Sequence, residues 1–291
     1  MTSALVGRAA LEALASRFPQ LYIAPAEDAG DAYRKATGRG IAPEDKSLAH
    51  FNSTARDELR EVDTPAGPVE VVFLADRRDF ETFLQIVGHK AQPVPIARTV
   101  GAITYRGLAD WSRVLAAYQA YKAAGGDDWA AEFARLAQDP SAFRAEIVVI
   151  SEGPYSNITA AETPYDEAAW LDISREIRLH HECAHVVCRR TMPEDIAPVW
   201  DEVTADVVGL ICATGRYDAA LAMRFLGVAA QGSTGGRLEE YLSEEQLARI
   251  DEIAAEVAAA CARIEETAGE QDLARPFDYL LELKRNPLLA Y

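Results

Sequence analysis

The chain has 291 residues, 49% of them hydrophobic and 26% charged, with a formal net charge of −17. That length and apolar content suit a globular protein of one large or two smaller domains and exclude a disordered chain. The acidic balance argues against binding to nucleic acid or an anionic membrane, where basic patches supply the affinity, and no apolar run of about 18 residues offers a transmembrane helix.

Residues 3–18 carry a helical apolar pattern (Ala4, Leu5, Ala9, Leu11, Leu14, Phe18) closed by Pro19. With Arg8, Glu12 and Arg17 inside it, this is an amphipathic helix rather than a signal peptide, so a cytoplasmic protein is expected. Residues 26–62 mix polar and helical signals. Val69 to Leu74 reads as a strand, Asp76 to His89 as a helix, and Ile96 to Tyr105 as a strand. Helices are predicted over Ala109–Ala124 and Asp127–Gln138, split by Gly125-Gly126. Glu146-Ile147-Val148-Val149-Ile150 is the strongest strand signal; its composition and the Gly153-Pro154 break after it predict an edge strand able to pair with an extended peptide. Ser151 to Glu162 is a loop.

The next helix has Thr163 as a capping hydroxyl before Pro164, and it stops at Arg189-Arg190 with Pro193 beyond. A second begins at Pro198 and ends at Gly215; Gly209 inside it would let two helices approach closely. Helices follow over Asp218–Ala230, Ser243–Thr267 (with a Ser243/Gln246 capping box) and about Asp272–Arg285. Gln231 to Arg237 reads as a flexible connector, because it lacks the strand and the Lys-Ser/Thr end of a phosphate loop. Strands before 151 and helices after 163 give an α+β class, with residues 1–291 as one domain of two sub-lobes, 1–162 and 163–291. The four cysteines sit in apolar helical patterns and read as reduced core residues.

His181-Glu182-x-x-His185 places two imidazoles one turn apart on one helix face, where both can meet one Zn²⁺. Glu182, rotated roughly 100° from His181, stands beside the metal as a general base rather than on it. No histidine follows His185, so the third ligand must be of another type. Sixteen residues lie between His185 and Glu202. Glu202 and Asp206 share one face of the next apolar helix: Glu202 can complete the metal site, and Asp206 can accept the outer N–H of a ligating histidine. The longer pattern H-E-x-x-H-x-x-G-x-x-H fails at Cys188 and Thr191. Cys188 shares the His181/His185 face and could be a thiolate ligand, but a core residue is the simpler reading. His180 points away by a helical step.

H-E-x-x-H followed by E-x-x-x-D on the next helix resembles the gluzincin zinc metallopeptidases, which include thermolysin. The resemblance spans His181 to Asp206, with a slightly shorter gap than in the best-known members. It implies a zincin-like fold: a mixed-sheet N-terminal lobe, the site helix below it, and a helical lobe closing a cleft. It also implies zinc held by His181, His185 and Glu202, Glu182 as general base, and Asp206 as the carboxylate behind a histidine. Thermolysin-like enzymes stabilise the oxyanion with a downstream histidine, absent here; Tyr217, Tyr241 and Tyr279 are the candidates to replace it. The G-x-M-E-N pattern of related aminopeptidases is missing.

The expected function is therefore zinc-dependent hydrolysis of peptide or protein substrates. Two other readings stay open. One is a zinc-binding regulatory or partner-specific domain without general peptidase activity. The other is a helical interaction protein with a fortuitous motif.

Overall fold

The computed structural model describes residues 4–192 and 197–290, and the chain divides into two compact units. The first comprises Met1–Val62 and Glu70–Ser151, the second Asp63–Val69 and Glu152–Tyr291.

In the first unit the chain runs β1 (Leu5–Val6), α1 (Arg8–Arg17), α2 (Gly30–Arg39), β2 (Glu58–Val62), β3 (Val69–Leu74), α3 (Arg77–Gly88), β4 (Ala102–Ala109), α4 (Trp111–Ala123), α5 (Trp129–Leu136) and β5 (Arg144–Ser151). The five strands form one mixed sheet in the order β1-β2-β3-β5-β4. β5 lies parallel to β3, with Val148 opposite Val71, and antiparallel to β4, with Val149 opposite Ile103. This corrects the expectation of an edge strand at Glu146–Ile150. Ile147 to Ser151 are buried without a break, and a run buried on both faces belongs inside a sheet, where both neighbours satisfy its backbone. Leu11, Leu14 and Phe18 of α1 pack with Phe80 and Phe83 of α3 and with Val72, Ile147 and Val149 of the sheet. Asp76 starts α3 by accepting from the amides of Arg78 (2.7 Å) and Asp79 (3.4 Å), a capping arrangement.

The second unit contains α6 (Glu167–Thr191), α7 (Pro198–Thr214), α8 (Ala219–Leu226), a short hairpin of β6 (Val228–Ala229) and β7 (Gly232–Ser233), α9 (Glu244–Leu247), α10 (Ile250–Thr267), α11 (Glu270–Ala274) and α12 (Pro276–Arg285). The main segment of the second unit begins at Glu152, and α6 holds the loop before it. Arg178 donates to the carbonyls of Gly153 (2.5 Å) and Pro154 (2.6 Å), and the Tyr155 amide donates to Ser174 Oγ (3.0 Å).

The cap of α6 is Asp166, whose carboxylate accepts from the Ala169 amide at 2.9 Å. Thr163 instead donates to the Ala160 carbonyl in the preceding turn, so the helix begins later than its Thr-Pro signal suggests. Pro193 lies outside the described residues. α7 runs as its signals predict, from Pro198 to a left-handed Gly215 (φ 75°). The last helices break inside the ranges that the sequence reading predicts, at Ala248-Arg249 and at Arg275. The architecture is α+β. No helix among the described residues is long and apolar enough to cross a membrane.

α6 and α7 form the frame of the second unit. A Cβ on Gly209 would lie 2.9 Å from the carbonyl oxygen of Ile177, so α7 passes α6 at a distance that a side chain there would prevent. Around this contact Trp170, Ile177, Val203, Val207 and Phe225 form the main core of the unit. A smaller group, Ala184, Val187, Cys188, Ala205, Val208 and Leu280, brings in α12.

Candidate metal centre

The close crossing of α6 and α7 sets the two acid-bearing turns of one against the two histidines of the other. His181 and His185 lie one turn apart on α6, and their Nε2 atoms are 3.1 Å apart. Glu202 of α7 reaches across with one oxygen 3.4 Å from His181 Nε2 and the other 3.4 Å from His185 Nε2. His181, His185 and Glu202 are thus brought together as three potential metal ligands.

The outer ring nitrogens are also engaged. His181 Nδ1 lies 2.8 Å from Asp206 Oδ1, and His185 Nδ1 lies 2.9 Å from Asp201 Oδ2. Asp206 is fully buried and is held as a carboxylate: Tyr155 Oη donates to it at 2.6 Å and Arg237 Nη2 at 2.9 Å. Asp201 accepts a hydrogen bond from the buried Lys284 ammonium. A carboxylate paired in this way only accepts. Each histidine therefore carries a proton on Nδ1, and its Nε2 faces the centre, offering a lone pair there whenever the imidazole is neutral.

Two lone pairs and a carboxylate facing one another are repulsive without a cation between them. A tetrahedral ion with ligands at about 2.0–2.1 Å would separate its donor atoms by about 3.3–3.4 Å. The Nε2–Nε2 separation of 3.1 Å is close to that spacing, and Glu202 faces each nitrogen with a different oxygen at 3.4 Å, so that one donor atom from each of the three residues lies within 4.8 Å of the others. Charge leads to the same conclusion: with neutral imidazoles, the carboxylates of Asp201, Glu202 and Asp206 exceed the cations of Arg237 and Lys284 by one. The donor set therefore fits a divalent ion such as zinc.

In the metal-free protein, protons meet the same demand. Burial opposes charging His185, but Asp201 and Glu202 prevail and push its pKa up to about 10. His181 is likewise raised, with Asp206 and Glu202 overcoming its burial. Glu202 is held well below the usual carboxylate range by the two histidines despite its own burial. Asp206 is lowered by Arg237 and His181, again against burial.

Glu182, half-buried on α6, is not one of the three clustered donors. Cys188 also lies outside the cluster, and burial pushes its thiol up to about 11, so it serves as a core residue. His180 turns to Glu176, at 3.6 Å. Of the tyrosines suggested for the oxyanion, Tyr241 lies near the centre, its ring centroid 5.9 Å from Arg237 Cζ. Burial raises its pKa, and Glu202 and Asp206 add to the rise against Arg237. Tyr217 is a core residue against Cys261, and Tyr279 packs in the same core beside Thr267.

Four contributors were not identified from the sequence: Tyr155, Asp201, Arg237 and Lys284. Tyr155 comes from the Gly/Pro loop. It is followed by Ser156 and Asn157, both at positive φ (49° and 59°), a strained backbone pair next to the centre. Arg237 comes from the segment read as a flexible connector. That segment instead carries β7 of the short hairpin and a turn braced where Gly227 and Gly235 pack backbone to backbone, and Arg237 bonds Tyr155 Oη and Ser156 Oγ, each at 2.9 Å. Only a surplus of acids on α7 could have signalled these cations, since buried carboxylates need partners.

An α+β chain carrying a His-His-Glu centre backed by two carboxylates is the class that fold and site define. Residues 4–276 match the family of unknown function DUF7005, and the chain belongs to it. No curated protein and no solved structure matches the chain.

Proposed function

We propose that the protein is a zinc-dependent hydrolase of the gluzincin type, with a zincin-like arrangement and peptide bonds as its substrates. One observation carries this reading: the Nε2 atoms of His181 and His185 and the carboxylate of Glu202 converge on one point, while both outer nitrogens rest on carboxylates.

A zinc ion bound there would supply Lewis acidity, polarising a carbonyl and lowering the pKa of a bound water to around 7. The chain's residues perform the remaining tasks. Asp206 and Asp201 fix the tautomers and ring directions of the two imidazoles. Arg237 neutralises Asp206 and part of Glu202. Glu182, one residue beyond His181, takes the proton of the attacking water and delivers it to the leaving amine.

A second reading, a metal-binding regulatory or partner-specific domain, draws on the enclosure of the ligands, whose side chains are only 8%, 13% and 16% exposed. Digestion of a mixed peptide library, read by mass spectrometry, separates the two. Peptidase action predicts cleavage by the zinc-loaded protein and a roughly 10²–10⁴-fold loss in Glu182→Gln, with zinc retained. Cleavage at an undiminished rate in Glu182→Gln eliminates this mechanism. Zinc binding without any cleavage favours the second reading.

A further inference from the structure

α12 contributes a residue that the hydrolytic scheme does not use. Lys284 lies 83 residues beyond Asp201, yet its ammonium donates to Asp201 Oδ1 with the side chain only 1% exposed. A lysine is almost never buried to that degree without a paired charge. The other oxygen of Asp201 faces His185 Nδ1 at 2.9 Å, so ammonium, carboxylate and imidazole stand in line. The helix is fixed in place independently of this pair. Leu280 is fully buried against Val187, Ala205 and Val208, and Trp200 Nε1 donates to the Leu283 carbonyl at 3.2 Å. Hydrophobic packing and the indole bond would seat α12 with an apolar residue at 284. Buried ion pairs commonly add no net stability over apolar replacements, which leaves the charge itself to be explained.

We propose that Lys284 is a positioning residue of the metal centre, holding Asp201 in the place where it fixes the tautomer and ring direction of His185. This rests on the metal-centre reading above. The centre is thus built from two equivalent arms. On one, Arg237 and Tyr155 hold Asp206, and Asp206 holds His181; on the other, Lys284 holds Asp201, and Asp201 holds His185. Without the ammonium, Asp201 is free to turn from His185 towards solvent, since its side chain is 31% exposed.

The test uses the full chain with zinc as the probe, titrated in competition with a chromophoric chelator. Lys284→Met is expected to weaken zinc binding roughly 10–100-fold, the usual effect of losing a group that orients a ligand. Lys284→Arg should restore most of it. Asp201→Asn should weaken binding similarly, and adding Lys284→Met to it should cost nothing further, because the two act in series. Leu280→Ala, which loosens the same helix but keeps the ammonium, should lower the melting temperature and leave zinc affinity within about twofold. The cobalt-substituted Lys284→Met protein should also show a shifted visible spectrum. If Lys284→Met does not fold, Lys284→Gln closes the same cycle with a neutral donor.

Equal zinc affinity in wild type and Lys284→Met overturns the inference alone, as does an equal loss in Leu280→Ala or full additivity with Asp201→Asn. Failure of the wild type to bind zinc overturns the metal-centre reading and this inference with it.

Discussion

Replacing Asp206 by Asn tests how the centre holds its histidines. The native carboxylate takes His181 Nδ1 and Tyr155 Oη on one oxygen and Arg237 on the other. An amide offers one accepting oxygen and one donating NH₂, so one side must meet a donor with a donor. If the oxygen faces His181, the guanidinium of Arg237 is left against an NH₂. Removing one partner of a buried ion pair costs about 3–5 kcal/mol. With the Arg237 side chain 18% exposed, solvent screening brings the expected loss of stability to about 2–3 kcal/mol. The imidazole meanwhile loses a charged acceptor, which weakens zinc binding roughly 10–100-fold, or about 1.4–2.7 kcal/mol. Urea denaturation in the presence of chelator reads the first quantity, and a zinc competition titration reads the second. Arg237→Met added to Asp206→Asn should recover part of the stability without recovering affinity. An Asp206→Asn protein with native zinc affinity and native stability would refute the reasoning.

Zinc binding should release protons at pH 7, because the ion replaces a proton on His185, whose pKa is pushed up to about 10 in the metal-free protein. The sign follows from competition. Affinity should rise as pH goes from 7 towards 10, by up to about tenfold per unit for each proton displaced, and calorimetry in buffers of different ionisation enthalpy counts those protons. Without metal, His185 stabilises the fold fully below its ordinary value near 6.5, and this contribution is lost as pH rises towards 10. Asp201 and Glu202, both lowered, contribute above the usual carboxylate range, and that is lost on acidification. The metal-free protein should therefore melt at its highest temperature in the mildly acidic range, and a melting temperature that climbs steadily from pH 6 to pH 9 would contradict this. Gly209→Ala should destabilise the second unit by about 1–3 kcal/mol, since the new methyl meets the Ile177 carbonyl; denaturant midpoints report it.

Motif spacing places His181, His185 and Glu202 in reach of one another, because a helix fixes where residues four apart must point. His181 with His185, and Glu202 with Asp206, therefore emerged from the sequence, as did the role of Gly209, whose missing side chain lets α6 and α7 meet. Spacing does not show which histidine an acid will serve. It left Asp206 open between His181 and His185, and it gave Asp201 no task, because Asp201 sits a helical step off the Glu202 face. Arg237 and Lys284 were illegible for another reason: their partners lie 31 and 83 residues away, and no local pattern distinguishes a buried cation from an exposed one. β5 was recognised as a strand but placed at the wrong position in the sheet. Its apolar run shows burial on both faces, whereas strand order depends on connections between elements.

Metal content bears most directly on the central claim. The protein should be purified without chelators or immobilised metal and analysed for elemental zinc, alongside a His181→Ala/His185→Ala variant of verified fold. The account predicts about one zinc per wild-type chain and none in the double variant. A folded wild type that neither contains zinc nor takes it up on titration, or a double variant that still holds one equivalent, would contradict it.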